Sequence, residues 1–340
     1  MTGISISIVI PVHNGSPYLR GALESIFAQT YGQFDVHILE NCSTDNTLEI
    51  IKSFDDDRIR VYPAARFLSI EENWQRILTL NTHEYFLTLC HDDVLYPEYL
   101  ETIVNVIREQ PEASLYHTHF HLINERGRVI QPSYSMPAGQ SGDDFLSRQL
   151  LRKEHICGSG YTMRLSDFKQ IGGFPAYPKL LYADTMCWYR ASALGKKATS
   201  PEILYAFRTS GETTTGSSHW QMFAAAVLQL EKDVKQTSFV EQPVYARQLQ
   251  DFVHHSFDYA HRKMLINLLL SAEDNRFSVY AQQVDELREM IQPHELSRTS
   301  LARFYGMAAY MPGRLLRRGL VMLAQGALRW RHVLLAWGKK

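Results

Sequence analysis

The chain has 340 residues, 45% of them hydrophobic and 21% charged, which excludes a disordered chain and leaves room for one large domain or two ordinary ones. Its net charge of −1 conceals an acidic body and a basic end: eight cations and no acid lie between Leu301 and Lys340, which leaves −9 on the first 300 residues. Cys42, Cys90, Cys157 and Cys187 have no paired spacing, no run of about eighteen apolar residues offers a membrane span, and Met1 to Val12 lacks the basic start and cleavage site of a signal peptide, so a reducing, cytoplasmic setting is expected without disulfides or a zinc framework.

Ile4 to Val12 is a β-branched run, followed by Ser16-Pro17 as an N-cap with proline at the first helical position, and by Leu19, Leu23, Ile26 and Phe27 at helical spacing. Phe34 to Glu40 predicts a second strand, ending in the polar turn Asn41 to Asn46, with a helix carrying Leu48, Ile51 and Phe54 beyond it. Arg58 to Tyr62 is a third strand, Trp74, Ile77 and Leu78 mark a helix, and Tyr85 to Leu89 is a fourth strand running directly into His91-Asp92-Asp93. Pro97 precedes a helix with Leu100, Ile103, Val104 and Ile107 inward.

This alternation predicts βαβ units in a mostly parallel sheet covered on both faces, with ligands beyond the carboxyl ends of the strands. His13-Asn14, Asn41 to Asn46 and His91 to Asp93 all fall at that edge, which predicts one shared site. Further on, Ser114 to Ile130 reads as a hairpin turning at Asn124 to Gly127. Gly158 to Leu165 reads as another strand, Asp184 as the opening of a helix, and Ile203 to Phe207 as a last strand. The Thr/Ser/Gly stretch Thr209 to Ser218 is a boundary, giving domains over residues 1–215 and 216–340, the second helical in pattern.

Two adjacent carboxylates at the end of a buried apolar strand repel each other and lose hydration unless a cation or ligand hydroxyls share them. Mg2+ or Mn2+ takes such oxygens and bridges them to substrate phosphates; the alternative is acidic decoration of the turn before Pro97. His117, His119 and His121 alternate on one predicted strand face. Three histidines so placed can hold zinc, but no fourth ligand is placed nearby, and a polar substrate-facing strand or plain hairpin surface accounts for them equally.

The strings Ser7-Ile-Val-Ile-Pro-Val-His-Asn14, Ile38-Leu-Glu-Asn-Cys-Ser-Thr-Asp45, Leu89-Cys-His-Asp-Asp93, Ile171-Gly-Gly-Phe174 and Ala183-Asp-Thr-Met-Cys-Trp188, in this order over residues 4 to 215, resemble the family-2 inverting glycosyltransferases of GT-A fold. The resemblance implies a nucleotide-diphosphate sugar donor, UDP- or dTDP-linked, and a saccharide or lipid-linked acceptor. It implies Pro11 and Val12 as a backbone platform under the base, His13 and Asn14 lining the pocket, and Glu40 and Asn41 in the positions of two acids near the pyrimidine. Asp92 corresponds to a residue at the ribose and diphosphate, Asp93 to the ligand of Mn2+ or Mg2+, Arg208 to a basic residue near the diphosphate, and Asp184 to the catalytic base, with a helix N-cap as its alternative. Cys90 departs from the family's leading aspartate, Asn41 from an aspartate and Ser210 from a histidine; a subfamily with Asn-Trp in the preceding helix, as in Asn73-Trp74, also resembles the Cys-x-Asp-Asp form.

From Arg314 onwards, helical spacing sets Arg314, Arg317, Arg318, Gln325, Arg329 and His332 against Leu316, Leu320, Leu323, Trp330, Leu334 and Trp337. Such a helix suits an anionic membrane surface, or packs on the protein or a second copy. A pyrophosphorylase is disfavoured because His13 to Ser16 lacks the basic glycine-rich loop, and a dehydrogenase because no G-x-G-x-x-G follows Val12; a degenerate carbohydrate-binding or scaffolding relative has Cys90, Asn41 and Ser210 as its support. No feature suggests nucleic acid as a partner.

Overall fold

The computed structural model describes residues 3–209, 220–270, 276–292 and 294; Ser210, most of the loop Thr209 to Ser218 and the basic tail 301–340 lie outside them. The chain divides into two compact units, Met1–Ser217 with Lys232–Gln248, and Ser218–Glu231 with Leu249–Lys340.

The first unit is built on strands β1 (Ile6–Val12), β2 (Phe34–Glu40), β3 (Ile59–Pro63), β4 (Tyr85–Thr88), β5 (Val94–Leu95), β6 (Leu115–Ile123), β7 (Val129–Pro132), β8 (Gly139–Gln140), β9 (Tyr161–Arg164) and β10 (Lys197–Arg208). They form one sheet in the order β3-β2-β1-β4-β9-β6-β10-β5, with β7 beside β6 and β8 beside β10. β3, β2, β1 and β4 are parallel, β9 is inserted antiparallel between β4 and β6, and β10 runs parallel to β6. Every residue of β1 and β2 is buried. That is why β1 reads as a near-continuous apolar run, interrupted by Ser7, whereas β2 buries Asp35, His37 and Glu40 among its apolar residues. The mixed, mostly parallel sheet expected from the sequence is the sheet observed.

Helices α1 (Leu19–Phe27), α2 (Thr47–Lys52), α3 (Ile70–Gln75), α4 (Tyr99–Glu109), α5 (Gly142–Leu150), α6 (Leu165–Gln170) and α7 (Ala183–Leu194) cover the sheet. In α4 the buried residues include Leu100, Ile103, Val104 and Ile107, the i, i+3, i+4, i+7 stripe of its sequence. A capping box opens α3: the Ser69 hydroxyl accepts from the Glu72 N–H at 3.1 Å and the Glu72 carboxylate accepts from the Ser69 N–H at 2.8 Å. Ser16 does not cap α1. The helix starts at Leu19 behind Tyr18, and the Gly15 carbonyl accepts from both their N–H groups, so Ser16-Pro17 form a turn that leads into the helix.

The segment Ile171 to Phe174 reverses direction at Gly172 and Gly173, whose φ angles of 80° and 73° fall in the left-handed region that side chains resist. The reversal drives Phe174 into an aromatic core, edge-on to Trp74 at 4.9 Å and to Trp188 at 5.1 Å, and Trp188 stacks on Tyr161 at 4.6 Å. Burial of Phe174 alone contributes about 1.5–3 kcal/mol.

Along β10 the ladder with β6 slips: Ala198 faces Tyr116, but Tyr205 faces Phe120, with register shifts on either side of Ile203. β10 therefore spends three more residues than β6 over this stretch, and Pro201 sits within the slip, where a missing N–H costs no ladder bond.

In the second unit, Phe223, Val227, Leu230, Val253, Phe257, Ala260, Val284, Leu287 and Ile291 are buried. All but Ile291, which follows the last of them, come from the helices Trp220–Val234, Pro243–Leu270 and Arg276–Met290. His294 pairs with Glu231 at 2.9 Å and its ring lies 5.4 Å from that of Phe257. No described helix is long and apolar enough to cross a membrane.

Candidate active site

The loops after β1 and β2 are knitted into one ledge. The Thr47 hydroxyl accepts from the Gly15 N–H at 2.8 Å, and the Asp45 carboxylate accepts from the N–H groups of Ser16 and Thr47, both at 3.0 Å. Burial opposes ionisation of Asp45, but the hydrogen bonds from Thr47 and Ser16 outweigh it and hold its carboxyl far below the usual range. Asn14, itself left-handed at φ 53°, accepts from the Thr44 N–H at 2.8 Å, and its own N–H donates to the Ser43 hydroxyl at 3.0 Å. The Glu40 carboxylate accepts from the N–H groups of Ser43 (2.5 Å) and Cys42 (3.2 Å). Asn14 and Glu40 thus shape the loops with the very atoms expected to meet a ligand.

Asn41 is likewise committed. Its side-chain amide donates to the Leu68 carbonyl at 3.0 Å and accepts from the Leu68 N–H at 2.9 Å, and the residue is 3% exposed. An amide so paired has little left to offer a pyrimidine. The Asn41 carbonyl meets Nδ1 of His13 at 2.8 Å, and the His13 ring lies 4.7 Å from that of Phe67, which is 59% exposed. Pro11 and Val12 are buried in β1 beneath this notch.

At the end of β4 the two aspartates have different surroundings. Asp93 is fully buried: one oxygen accepts from the Arg208 N–H at 2.8 Å, the other from the Ser159 hydroxyl at 2.7 Å and from the Tyr205 hydroxyl. Burial, reinforced by the neighbouring Asp92 charge, still pushes the Asp93 carboxyl well up. Asp92 is half-buried, and its carboxylate accepts no hydrogen bond from the described residues. A direct cation ligand needs free lone pairs, and Asp92 has more of them than Asp93, whose carboxylate already accepts three hydrogen bonds. One ligand atom each from Cys90, Asp92 and Asp93 lie within 4.8 Å of one another. A donor set of two carboxylates and one thiol fits a divalent cation. Burial and then the charges of Asp93 and Asp92 push the Cys90 thiol up.

Arg208 is 8% exposed, not a surface cation. Its Nε donates to the Asp92 carbonyl at 2.7 Å, its Nη1 to the carbonyls of Asn124 (2.8 Å) and Glu125 (3.2 Å), and its guanidinium lies 4.5 Å over the Tyr18 ring. Only Nη2 has no partner among the described residues, which narrows any phosphate contact to that nitrogen.

Asp184 is not the N-cap of α7 but its second residue; Tyr182 holds the cap position at φ 62°. The Asp184 carboxylate accepts from the Thr185 N–H at 2.7 Å, and burial raises its carboxyl to about 6. Gly158 lies against it, since a Cβ there would stand 4.0 Å from Asp184 Cβ and 3.9 Å from the Trp74 ring. The Cys157 carbonyl takes the indole N–H of Trp188 at 3.0 Å, and Ser159 reaches Asp93. The short loop 157–159 therefore separates Asp184 from the Cys90–Asp92–Asp93 group.

The three alternating histidines part company. His117 is buried and stacked on Tyr161 at 4.0 Å, His119 lies between the Ser200 carbonyl and the Met136 N–H, and His121 pairs with the Tyr96 hydroxyl at 2.9 Å. They make no metal site among the described residues. Ser159, Tyr205 and Phe67 carry no motif, and their part emerges only when the sheet closes.

Residues 7–172 match Glycosyl transferase family 2. Over these residues the chain is similar to the family-2 glycosyltransferases, and its fold is GT-A. It is 26% identical over 216 residues to an uncharacterised glycosyltransferase of Rickettsia typhi, a match spanning 63% of this chain and 66% of that protein. One of Rickettsia felis is 30% identical over 181 residues, spanning 50% of this chain and 28% of its own length. Among solved structures, residues 1–349 of Staphylococcus aureus TarS in complex with UDP-GlcNAc superpose with a TM-score of 0.60 at 14% identity, covering 94% of this chain and 92% of that one. The mannosyltransferase PcManGT of Pyrobaculum calidifontis, in complex with GDP-Man and Mn2+, gives a TM-score of 0.54 at 11% identity, covering 96% and 88%.

Proposed function

We propose that the protein transfers a sugar from a nucleotide-diphosphate donor, UDP- or dTDP-linked, to a hydroxyl of a saccharide or lipid-linked acceptor, in one displacement that inverts the anomeric centre. The observation that carries this reading is the placing of Asp184 across the loop 157–159 from the Cys90–Asp92–Asp93 group, at the carboxyl edge of the sheet. A carboxylate ionising near 6 is charged at neutral pH and so is ready to take the proton of the attacking hydroxyl, becoming neutral as it does. Leaving group and attacking oxygen then occupy opposite sides of the anomeric carbon, and no covalent nucleophile is needed.

In this reading Asp92 is the direct ligand of Mn2+ or Mg2+. Asp93 stands behind it and fixes Ser159, Tyr205 and the Arg208 backbone. A divalent cation held there offsets the charge building on the departing diphosphate. The base sits in the notch of His13 and Phe67 above Pro11 and Val12, with Asn41, Asn14 and Glu40 shaping its walls. A neighbour bound to UDP-GlcNAc and another bound to GDP-Man and Mn2+ support a donor of this class. By sequence pattern alone, the basic face of residues 301–340 suits an anionic membrane surface, where a lipid-linked acceptor for polysaccharide assembly would lie.

Proton NMR of the first product from an α-linked UDP-sugar tests the central claim. A β-anomer supports single displacement and an α-anomer refutes it. Flotation of the full chain and of a chain ending at residue 300 with anionic liposomes tests the tail; equal partitioning refutes the membrane role.

A further inference from the structure

Asp93 already accepts three hydrogen bonds from protein donors, which leaves Asp92 as the carboxylate more open to a cation. Among the described residues, the other ligand atom within 4.8 Å of both carboxylates is the sulfur of Cys90. We propose that Cys90 Sγ coordinates the cation, making the centre a mixed thiolate–carboxylate site that prefers Co2+, Zn2+ or Cd2+ to Mg2+. This rests on the reading of a metal-assisted diphosphate given above, and deepens it.

Three features support the assignment. Cys90 is fixed from behind, its N–H donating to the Ser159 hydroxyl at 2.9 Å, and the same hydroxyl donates to Asp93 at 2.7 Å. The Cys90 backbone and the Asp93 carboxylate behind the proposed centre thus share one partner, which fixes the chain on both sides of Asp92. Cys90 is half-buried as a residue, whereas Cys157 is fully buried and its thiol donates to the Ser159 carbonyl at 3.1 Å. Finally, thiolate is a soft ligand that favours later and heavier divalent ions over Mg2+. On binding, the S–H bond is exchanged for an S–metal bond and the proton passes to solvent.

The test is a titration of the full-length protein with Co2+ in the presence of UDP, followed in the near-ultraviolet for thiolate-to-cobalt charge transfer and by equilibrium dialysis for binding. The expected result is one bound Co2+ with a charge-transfer band in the wild type, and no band in Cys90→Ser. Cys90→Asp, which restores an oxygen ligand at the same place, should still bind, without the band, and its Cd2+-over-Mg2+ affinity ratio should fall by about tenfold or more. Cobalt bound without the band, or a band that survives in Cys90→Ser, overturns sulfur ligation and leaves the metal reading standing. No cation bound by the wild type with UDP overturns both.

Discussion

Asp93 accepts a hydrogen bond from the backbone N–H of Arg208 at 2.8 Å, although 115 residues of chain separate them. The bond joins the end of β4 to the end of β10. The guanidinium of the same arginine turns back to the Asp92 carbonyl at 2.7 Å, so the acidic pair is held from both sides. Removing Asp93 strands the Arg208 N–H and leaves the Ser159 and Tyr205 hydroxyls to each other. Asp93→Ala should therefore lower unfolding free energy by about 2–4 kcal/mol in urea melts. Asp92→Ala should leave stability within about 0.5 kcal/mol and abolish cation-dependent UDP binding in calorimetry. The reverse pattern would return the metal to Asp93.

Asp184 ionises near 6 because burial disfavours its charge. A base must be ionised to act, so kcat/KM should rise with pH through about 6 and level off above it. Asp184→Asn should cost about 10²–10⁴-fold in kcat with donor binding retained. The same shift has a stability consequence of fixed sign. With a folded pKa above the ordinary carboxyl value of 3.8, ionisation weakens the fold as pH rises between 3.8 and about 6. Asp184→Asn should consequently melt higher than wild type at about pH 8 and gain nothing at about pH 3, where wild-type Asp184 is protonated.

Asn41 and Phe67 should separate structure from recognition. Asn41→Ala leaves the Leu68 N–H and carbonyl unpaired and should destabilise by about 1–3 kcal/mol. Its effect on the ranking of UDP, dTDP and GDP in competition binding should be small. Phe67→Ala should weaken all three nucleotides by about 0.5–1.5 kcal/mol with an unchanged melting temperature. A ranking that changes in Asn41→Ala would restore the direct pyrimidine contact.

Tyr182 occupies the left-handed region at φ 62°, one residue before the helix that carries Asp184. That conformation costs about 1–3 kcal/mol for a non-glycine residue. Tyr182→Gly should relieve part of it yet free the helix start, so kcat should fall while KM for donor stays put. Unchanged kcat would mean that the strained cap does not position Asp184.

Lys197 and Glu154 form an ion pair with both side chains fully buried, joined by Gln140 and Arg148. Lys197→Met leaves the buried Glu154 charge to Arg148 and Gln140 and should cost about 1–3 kcal/mol. Glu154→Gln in the same chain should recover part of that loss in guanidinium melts.

Much of the first unit was legible because its strands are buried on both faces: Phe34 to Glu40 and the stripe of α4 follow directly from apolar patterning. β10 was underestimated as Ile203 to Phe207 because Lys197, Ser200 and Pro201 look foreign to a strand, and only the ion pair with Glu154 and the register slip explain them. α5, with Asp143 and Asp144 in its first turn, carries too few apolar residues to announce itself. The site's chemistry was visible where acids stood at strand ends. Its supporting layer was not, because Ser159 and Tyr205 reach Asp93 across 66 and 112 residues and local pattern carries no trace of such pairings.

The slip along β10 also sets how this protein can vary. Three surplus residues are an odd number, so the strand passes Pro201 and Ile203 with its inward and outward faces exchanged relative to β6. Losing one residue between Pro201 and Leu204 would turn Tyr205 away from Asp93 and carry the Arg208 N–H with it. Chain length is therefore under tighter constraint than residue identity there, whereas the exposed turn at Asn124 to Gly127 can absorb insertions beyond its tip. Among descendants of this sequence, substitutions should accumulate in Pro201 to Leu204 long before gaps do.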